Sequence, residues 1–484
     1  MAQDSEKRSI LVTSALPYAN ASLHLGHILE HTQTDIWVRF QKLYGNECIY
    51  VCADDAHGTP IMLKAEELSM SPEELIGIIY EEHKSTFEDF NISHDNYHST
   101  HSSENQVLSE RIYKSLYSKG LIEKKVINQL FDTSRNMFLS DRYVKGSCPN
   151  CGAEDQYGDN CEKCSATYNA IDLKDPISVL TGTKPIIKES EHLFFKLSLL
   201  KDEINNWLDS SKIQEPVRNK LNEWLDSDLK DWDISRDGPY FGFKIPGYDD
   251  KYFYVWLDAP IGYLASHLNY LIKHDSEKDF ESFWNKDSPS EVFHFIGKDI
   301  MYFHTLFFPA MLSNADLKTP NGVFVHGFLT LNGEKMSKSR GNFISAENYI
   351  DTLDSDYLRY FFASKLSTGL DDIDLNLDGV LDLVVFDKSG NKLNPFVNES
   401  GNFLYAPRYR SNFPNLHDWA LFIDYNCDGK NDIFTYSSGV IVTTRVSPSL
   451  INSKRVASSF LPCIDEPDSF SCLIISHPAF SNAS

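Results

Sequence analysis

The fold is decided by residues 9–45, which read SILVTSALPYANASLHLGHILEHTQTDIWVRFQKLYG. Ser9–Thr13 is a short apolar run and predicts a buried strand. Pro17 breaks the following loop, and a helix is expected from His24 to Leu43, with Gly45 as its C-terminal stop. The buried face of this helix is predicted to contain Ile28, Ile36, Phe40 and Leu43.

A second apolar run, Glu47–Ala53, follows the helix and predicts another strand. This strand–loop–helix–strand order favours a parallel sheet with ligands at its carboxyl edge. The predicted fold class is therefore α/β. We expect a Rossmann-type nucleotide-binding domain with a parallel sheet, interrupted by a zinc-containing insertion and followed by a β-rich C-terminal tail.

His24, Gly26 and His27 stand at the start of the predicted helix. Two imidazoles three residues apart share one face of a first helical turn, and a helix N-terminus favours anions. The histidines could therefore donate hydrogen bonds to phosphate oxygens, with Gly26 allowing close approach. Two surface histidines on an amphipathic helix remain the alternative.

A second candidate phosphate-binding segment follows the predicted strand Phe324–Leu331 and the tight turn at Asn332-Gly333. It carries Lys335, Ser337 and Lys338 on a loop rich in Ser and Gly. Lysines on such a loop can neutralise charge on a departing pyrophosphate, although an exposed basic turn is the alternative. Together with the histidines, these lysines predict one ATP site and a reaction that forms an adenylate.

Four of the nine cysteines fall within 17 residues with the spacing C-x2-C-x9-C-x2-C. This spacing predicts a closed, structural tetrathiolate site, for which Zn²⁺ is the first choice, and two unrelated thiol pairs are the alternative. Cys48 and Cys52 lie in an apolar run and are expected to be buried thiols. The predicted zinc ligands are Cys148, Cys151, Cys161 and Cys164.

The middle of the chain continues the alternation of strands and helices. Tyr252–Leu257 is β-prone and is predicted to be a strand that ends at residues 258–263. Glu291–Ile296 is predicted to be a strand, and a helix is expected through His304 and Phe308. An apolar slot or an aromatic core could be formed by Trp256, Ala259, Pro260 and Tyr263.

The net charge and the distribution of apolar residues argue against some binding partners and locations. The net charge of -24 argues against non-specific nucleic-acid binding over the whole surface. The sequence contains no apolar run of about 18 residues and no apolar signal segment at its N-terminus, so we expect a cytoplasmic protein without a membrane partner.

These motifs, taken in order from about Ile10 to about Leu377, resemble class I aminoacyl-tRNA synthetases. Among them, the resemblance is to methionyl-tRNA synthetases of the bacterial type with one zinc knot. The stretches that carry it are Leu16–Asn20, His24–His27, Ala53–Thr59, the four cysteines, Trp232–Arg236, Tyr254–Tyr263, Phe295–His304 and Lys335–Gly341.

The resemblance implies a methionine–tRNA ligase that uses ATP, Mg²⁺, L-methionine and the acceptor end of tRNA(Met), and that acts as a monomer. It implies that His24, Gly26, His27, Lys335, Ser337 and Lys338 bind ATP. It also implies that Asp55 holds the amino group of methionine, assisted by the backbone at Leu16. The implied methionine pocket contains Leu16, Tyr18, Asp55, Trp256, Ala259, Pro260, Tyr263, Ile300 and His304.

The chain departs from this pattern after Leu377, where a helical anticodon-reading domain is expected and the sequence is instead rich in Asn, Ser, Gly and aromatic residues. We therefore expect transfer to tRNA to be impaired. Two D-x-N-x-D-G-x-x-D runs resemble FG-GAP or VCBS-type repeats over residues 374–440, and two polar hairpin turns are the alternative. The candidate Ca²⁺ ligands are Asp374, Asn376, Asp378, Asp382, Asp424, Asn426, Asp428 and Asp432.

Five regions are therefore expected: a first catalytic half (1–118), a connective insertion with the zinc knot (119–236), a second catalytic half (237–334), the lysine loop with its following helix (335–376), and a divergent tail (377–484). Two other functions remain open. One is a calcium-binding, adhesion-type module carried by the tail, and the other is an inactive chimeric relic.

Overall fold

The computed structural model describes residues 7–158, 161, 163–164, 166, 168–227, 229–276, 279–331, 333–336 and 343–375. After residue 375 it describes the backbone of strands that lie between residues 383 and 456. The chain divides into two compact units, residues 1–378 with 398–402 and residues 379–397 with 403–484.

Strands and helices alternate along the first unit. The strands are β1 Ser9–Ser14, β2 Glu47–Asp54, β3 Asn96–Ser99, β4 Ile122–Asp132, β5 Met137–Phe138, β6 Val144–Ser147, β7 Gln156–Tyr157, β8 Lys174–Ser178, β9 Ile186–Phe195, β10 Lys212–Ile213, β11 Trp232–Asp233, β12 Ser235–Asp237, β13 Lys251–Phe253, β14 Glu291–Gly297, β15 Gly322–His326, β16 Leu329–Leu331, β17 Glu334–Lys335 and β18 Ile373–Leu375. The α-helices are α1 Leu25–Leu43, α2 Thr59–Glu67, α3 Pro72–Asp89, α4 Ser103–Ser118, α5 Lys201–Ser210, α6 Glu215–Asp226, α7 Val255–Lys273, α8 Phe280–Trp284, α9 Phe308–Asn314, α10 Ala346–Ile350 and α11 Ser355–Lys365.

The central sheet has six strands in the order β10-β15-β14-β1-β2-β3, and all five neighbouring pairs are parallel. The strand order runs outward in both directions from β1 and β14. In parallel sheets, a ligand crevice opens at the carboxyl ends of the strands where the order reverses. The predicted parallel α/β sheet is confirmed, and its switch point lies where β1 and β14 end.

Helix α1 crosses from β1 to β2, as expected, but its buried face differs from the predicted one. Phe40 is 45% exposed and Leu43 is 88% exposed, whereas Glu30, Thr34 and Asp35 are buried. The prediction holds for Ile28, which is buried, but was wrong for Phe40 and Leu43. The helix is covered by the sheet and also by α11, so polar side chains line part of its buried side. Its last turn carries the exposed apolar residues.

Asp35 connects α1 to two other segments. Its carboxylate accepts hydrogen bonds from Arg39 Nε at 2.8 Å and from Arg359 Nη2 of α11 at 2.7 Å. It also accepts the backbone N–H of Ser93 at 3.2 Å, ahead of β3. The side chain is 1% exposed. One buried carboxylate therefore fixes the middle of α1 against both segments.

The predicted strand Tyr252–Leu257 was wrong beyond residue 253, because Val255–Lys273 forms helix α7. Leu257, Ile261, Leu264 and Leu271 recur at helical spacing and are buried on the side that packs against β2, β3 and α4. Burial of that apolar face outweighs the β-propensity of the aromatic run.

The predicted strand Phe324–Leu331 is split in two: residues 324–326 belong to β15 and residues 329–331 to β16, because the chain leaves the central sheet after His326. Gly327 marks the break: a Cβ there would lie 2.1 Å from the Asp371 carbonyl oxygen, so only glycine permits the approach. Leu329–Leu331 then forms β16 of a separate sheet, in the order β17-β16-β18.

Along the chain, two small sheets are formed by residues between β3 and β14. Their strand orders are β11-β9-β4-β5 and β7-β6-β8. The second sheet carries the cysteine segment, and its own apolar cluster contains Leu130, Leu139, Val144, Ala170 and Leu173. The main core contains residues from both halves of the central sheet and from helices α4 to α9.

Strands are also found in the described segments after residue 378. They pair in the orders β19-β20-β21 and β22-β23-β24-β25. Their bounds are β19 Leu383–Asp387, β20 Lys392–Glu399, β21 Asn402–Tyr405, β22 Trp419–Ile423, β23 Asp432–Ser437, β24 Val440–Arg445 and β25 Arg455–Val456. Among the residues described, no helix is both long and apolar enough to cross a bilayer.

Candidate active site

His24 and His27 form the start of α1 at the crevice. His24 is the N-cap residue, outside the helix proper: its Nδ1 accepts the Gly26 N–H at 3.0 Å, and its own N–H donates to His27 Nδ1 at 3.2 Å. The two rings stack with centroids 3.8 Å apart. Backbone groups therefore fix both imidazoles in a parallel pair at a positive helix end.

Gly26 is required by this stacking as well as by any ligand. A Cβ at this position would lie 2.8 Å from His24 Cε1 and 2.9 Å from His24 Nδ1. Real side chains essentially never approach so closely, so the imidazole would have to move. The glycine thus allows His24 to cap the helix.

The lysine segment lies partly outside the described residues, which include Lys335 but not Ser337 or Lys338. Lys335 is exposed on β17, and its Nζ lies 3.8 Å from the centroid of the Phe328 ring. It therefore stands beside the point where the chain leaves the central sheet.

The chain that follows the lysine segment contacts the histidine segment directly. Leu25 N–H donates to Ile344 O at 3.3 Å, and Ala346 N–H donates to Leu23 O at 3.0 Å. The Phe343 ring meets the His24 ring edge-on, with centroids 5.5 Å apart. Residues 343–346, which follow the lysine segment, therefore lie against the start of α1.

Asp55 follows β2 at the carboxyl edge. Its backbone is held by Tyr18 and its neighbours, since Asp55 N–H donates to Pro17 O and Ala19 N–H donates to Asp55 O, each at 2.8 Å. Its Oδ1 is buried and has no hydrogen-bond partner among the described residues. Burial, reinforced by Asp258, raises the pKa of the Asp55 carboxyl well above its usual range. An ammonium group placed here would relieve that penalty.

One face of α7 brings together four of the predicted pocket residues. Trp256, Ala259, Pro260 and Tyr263 stand at positions i, i+3, i+4 and i+7, the spacing that aligns side chains along one helix face. Trp256 packs edge-on against Phe303, with ring centroids 3.6 Å apart. The apolar wall predicted from a strand is therefore built by a helix.

Tyr263, at the far end of this face, contacts His304. His304 Nδ1 lies 3.1 Å from the Ile300 carbonyl oxygen, so it carries the proton and donates it there. Nε2, at 2.9 Å from the Tyr263 hydroxyl, then accepts that O–H. Burial lowers the pKa of His304 to about 4, and the ring is neutral at pH 7. Burial, together with Asp55 among others, raises the pKa of the Tyr263 phenol.

Sequence reasoning missed two buried groups at the crevice. Glu30 Oε2 accepts the Gly297 N–H at 3.0 Å and lies 3.4 Å from His326 Nε2, tying α1 to the ends of β14 and β15. Burial raises the Glu30 pKa, whereas Glu30 raises the His326 pKa against the effect of burial. The position of Glu30, one turn after Gly26 on the same helix, could have revealed it.

The second missed group joins the loop that follows β2 to helix α7. His57 Nδ1 hydrogen-bonds to Asp258 Oδ2, and His57 Nε2 lies 3.0 Å from His101 Nδ1. His57 and Asp258 each have side chains that are 1% exposed, and burial raises the Asp258 pKa. His57 belongs to a stretch already singled out, but its partner lies 201 residues away, so no local pattern predicts the pair.

The four cysteines converge as predicted. All four sulfurs lie within 4.8 Å of one another, with 3.8 Å between Cys148 and Cys164 and 3.6 Å between Cys151 and Cys161. Backbone N–H groups point at two of the sulfurs, from Cys151 to Cys148 Sγ at 3.5 Å and from Cys164 to Cys161 Sγ at 3.4 Å. The residues present fit a tetrahedral tetrathiolate ion, which leaves no position open for chemistry.

The candidate calcium residues lie almost entirely outside the described side chains. Asp374 is the exception: its Oδ1 accepts hydrogen bonds from Thr330 Oγ1 at 2.7 Å and from the Gly333 N–H at 2.9 Å. This oxygen thereby supports the turn between β16 and β17. Asn376, Asp378, Asp382, Asp424, Asn426 and Asp428 lie outside the described residues, as does the side chain of Asp432.

The start of α1 carries two stacked imidazoles, Asp55 carries a buried carboxylate oxygen, and one face of α7 carries aromatic side chains. A family model described as tRNA synthetases class I (M) matches residues 10–398, and the chain belongs to this family. The match extends past residue 377, where the sequence resemblance was expected to end.

Two solved structures that this chain resembles narrow the comparison to one kind of synthetase. One is Mycobacterium tuberculosis methionyl-tRNA synthetase bound by methionyl-adenylate, and the other is the same enzyme in complex with methionyl-adenylate. Each is 26% identical with a TM-score of 0.60, and the match covers 77% of this chain and 67% of that chain. The resemblance recognised in the sequence is confirmed.

Proposed function

We propose that this chain is a methionine–tRNA ligase: it activates L-methionine with ATP to methionyl-adenylate and pyrophosphate, then transfers the methionyl group to the acceptor end of tRNA(Met). The observation that carries the proposal is the buried Oδ1 of Asp55, which has no hydrogen-bond partner among the described residues. An α-amino acid would place its ammonium group on this oxygen, and Tyr263 of the proposed pocket is close enough for Asp55 to raise its pKa.

The first step needs positioning more than side-chain chemistry. A carboxylate oxygen of methionine attacks the α-phosphorus of ATP, forming a C(O)–O–P bond while the bond from that phosphorus to the β-phosphate bridging oxygen breaks. Pyrophosphate leaves with that electron pair. His24, His27, Lys335 and Lys338 stabilise the triphosphate charge, and Asp55 orients the ammonium group.

Mg²⁺ bound with ATP would supply neutralisation of phosphate charge, and Cys148, Cys151, Cys161 and Cys164 would hold a structural Zn²⁺. In the second step, a ribose hydroxyl at the end of the tRNA attacks the activated carbonyl carbon. The new ester forms as the bond to the phosphate oxygen breaks, and AMP leaves while the hydroxyl proton passes to its phosphate or to solvent.

The chemistry of the pocket favours methionine among apolar amino acids. A thioether is unbranched and polarizable, which suits contact with aromatic rings such as Trp256 and Tyr263. His304 is neutral and presents no charge to it. Packing alone should discriminate against a side chain one methylene shorter by only about 10- to 200-fold.

The test is exchange of labelled pyrophosphate into ATP in the presence of each amino acid. The expected result is exchange that depends on methionine and is much weaker with leucine at equal concentration. Absence of exchange with folded, zinc-loaded protein would contradict the proposal. Lys338→Ala is expected to slow exchange while leaving methionine binding, measured by equilibrium dialysis, nearly unchanged.

A further inference from the structure

A second group of metal-ligating side chains lies behind the histidine segment, apart from the four cysteines. His31 is on α1, Cys52 is on β2, and His94 is in the loop between α3 and β3. One ligand atom from each lies within 4.8 Å of the other two. No spacing rule predicts the group, because three separate elements bring it together.

The geometry is close to that of a tetrahedral metal site. His31 Nδ1 and His94 Nε2 are 3.1 Å apart. With metal–nitrogen bonds of about 2.0–2.1 Å, two nitrogens on one tetrahedral ion stand roughly 3.3 Å apart, and a sulfur stands roughly 3.6 Å from each. Side-chain movements on the order of 1 Å would therefore close the three donors around one ion.

Without an ion, the three donor atoms have only one another and weak partners. His31 is 1% exposed, and its Nδ1 meets His94 Nε2 at 3.1 Å and the Tyr50 hydroxyl at 3.3 Å. Cys52 is fully buried as a free thiol, and its sulfur makes only weak contacts with the carbonyl oxygens of Ser14, Ala53 and Ala15, at 3.7, 3.8 and 3.9 Å. An ion could replace these contacts without displacing a charged partner.

The residues around the cluster provide an outer shell of contacts and a route by which an ion could enter. The His31 ring stacks on Phe87, with centroids 4.2 Å apart, and the Tyr50 hydroxyl lies 3.3 Å from His31 Nδ1. The stacked ring orients the imidazole, and an ion on His31 Nδ1 would take the place of the Tyr50 contact. His94 retains partial solvent exposure, which gives an ion a route inward.

We propose that His31, Cys52 and His94 bind a second metal ion of borderline softness, with Zn²⁺ the natural occupant. One nitrogen of each imidazole and the Cys52 sulfur bind the ion, the thiol proton is released to solvent, and water takes the fourth position. The ion joins α1, β2 and the loop before β3, one helical turn beyond His27. This site is independent of the function proposed above.

The test uses full-length protein whose four-cysteine site is filled with Zn²⁺, titrated with Co²⁺ under reducing conditions. Metal content is measured by mass spectrometry, and binding is followed by cobalt d–d and thiolate-to-cobalt absorption. The expected result is an increase from one to two metal ions per chain, with charge-transfer intensity typical of a single thiolate.

Matched variants separate this site from the cysteine knot. Cys52→Ala and His94→Phe should each return the protein to one ion per chain, while Cys48→Ala, on the same strand, should keep two. In mild denaturant, where local opening exposes both buried thiols, bound metal should also slow alkylation of Cys52 but not of Cys48, located by peptide mass spectrometry.

The proposal is overturned if wild type binds only one ion per chain, or if Cys52→Ala still binds two. Should a variant fail to fold, the wild-type stoichiometry and the selective protection of Cys52 decide the question without it. If the proposal is overturned, His31 and His94 are a buried imidazole pair with no metal affinity.

Discussion

At the scale of single residues, the stacked histidines at the start of α1 require that residue 26 has no side chain. Gly26 leaves the space that the His24 ring occupies when it caps the helix. The sequence pattern predicted both histidines and the glycine, but it assigned the glycine only to ligand approach. The capping role depends on ring positions that no spacing rule contains.

Gly26→Ala should therefore displace His24 and weaken ATP binding. We expect kcat/KM for ATP in pyrophosphate exchange to fall by about tenfold or more, equivalent to roughly 1.4 kcal/mol of transition-state stabilisation. KM for methionine should change little. Gly77→Ala is the matched control, because a Cβ there meets no atom within 4 Å. Equal ATP kinetics in the two variants would contradict the role given to Gly26.

Asp55→Asn tests the buried carboxylate directly. Loss of one partner from a buried charge pair costs roughly 2–5 kcal/mol, so kcat/KM for methionine should fall about 30- to 5,000-fold. The measurement is exchange at varied methionine and saturating ATP. Asp316→Asn, which removes an exposed carboxylate paired with Lys119, should leave the kinetics unchanged.

The same two variants should differ in how stability depends on pH. The pKa of Asp55 is raised by burial, so the folded state binds more protons than the unfolded state above about pH 3.9, and its contribution to stability falls as pH rises toward the folded pKa. The pKa of Asp316 is lowered by Lys119, so its contribution is present above that pH and is lost as pH falls. Urea unfolding from pH 3 to 8 should show differences from wild type that have opposite slopes.

At the scale of elements, helix α7 shows where pattern reading fails. Its first residues are aromatic and β-branched, and a proline follows at position 260, so local propensity points to a strand and a turn. The helix forms because its other face is buried by three elements that are distant in sequence. The pocket residues were identified by resemblance to a family, since their alignment on one face depends on a helix that propensity did not predict.

The cysteine segment, by contrast, was predictable because its ligands are local and their spacing alone defines the site. Removing the metal should loosen this subdomain and little else. We expect a strong chelator to increase amide hydrogen exchange across residues 144–178, measured by mass spectrometry, with β1 and β14 nearly unaffected. Cys148→Ser should reproduce the pattern, whereas Cys48→Ser should not. Uniform loss of protection in both regions would show that the metal supports the whole unit.

At the scale of the whole molecule, the order of motifs predicted the parallel sheet because strands, helices and candidate ligand residues alternate at a regular spacing. It could not predict the departure of the chain from that sheet at Gly327, which is a contact with Asp371 made across the fold. Nor could it predict the contact between residues 343–346 and the start of α1. Both features result from long-range packing.

The two compact units suggest that the two half-reactions can be separated. The first unit contains every proposed activation residue, and the described segments after residue 378 are strands, as the tail sequence predicted, where the family resemblance implies helices that read the anticodon. We expect robust pyrophosphate exchange together with slow charging of tRNA(Met), measured with labelled methionine on the same preparation. Charging at a rate equal to activation would contradict this division.

The buried carboxylate of Asp35 has a consequence for genetics. It touches no proposed substrate, yet two arginines and a backbone amide meet on it to hold the first helix in place. Replacement by asparagine would keep the shape but leave those cations underpaired, so the defect should grow with warming. A screen for conditional growth should therefore find Asp35 among its temperature-sensitive alleles, with exchange activity normal in the cold and lost on heating.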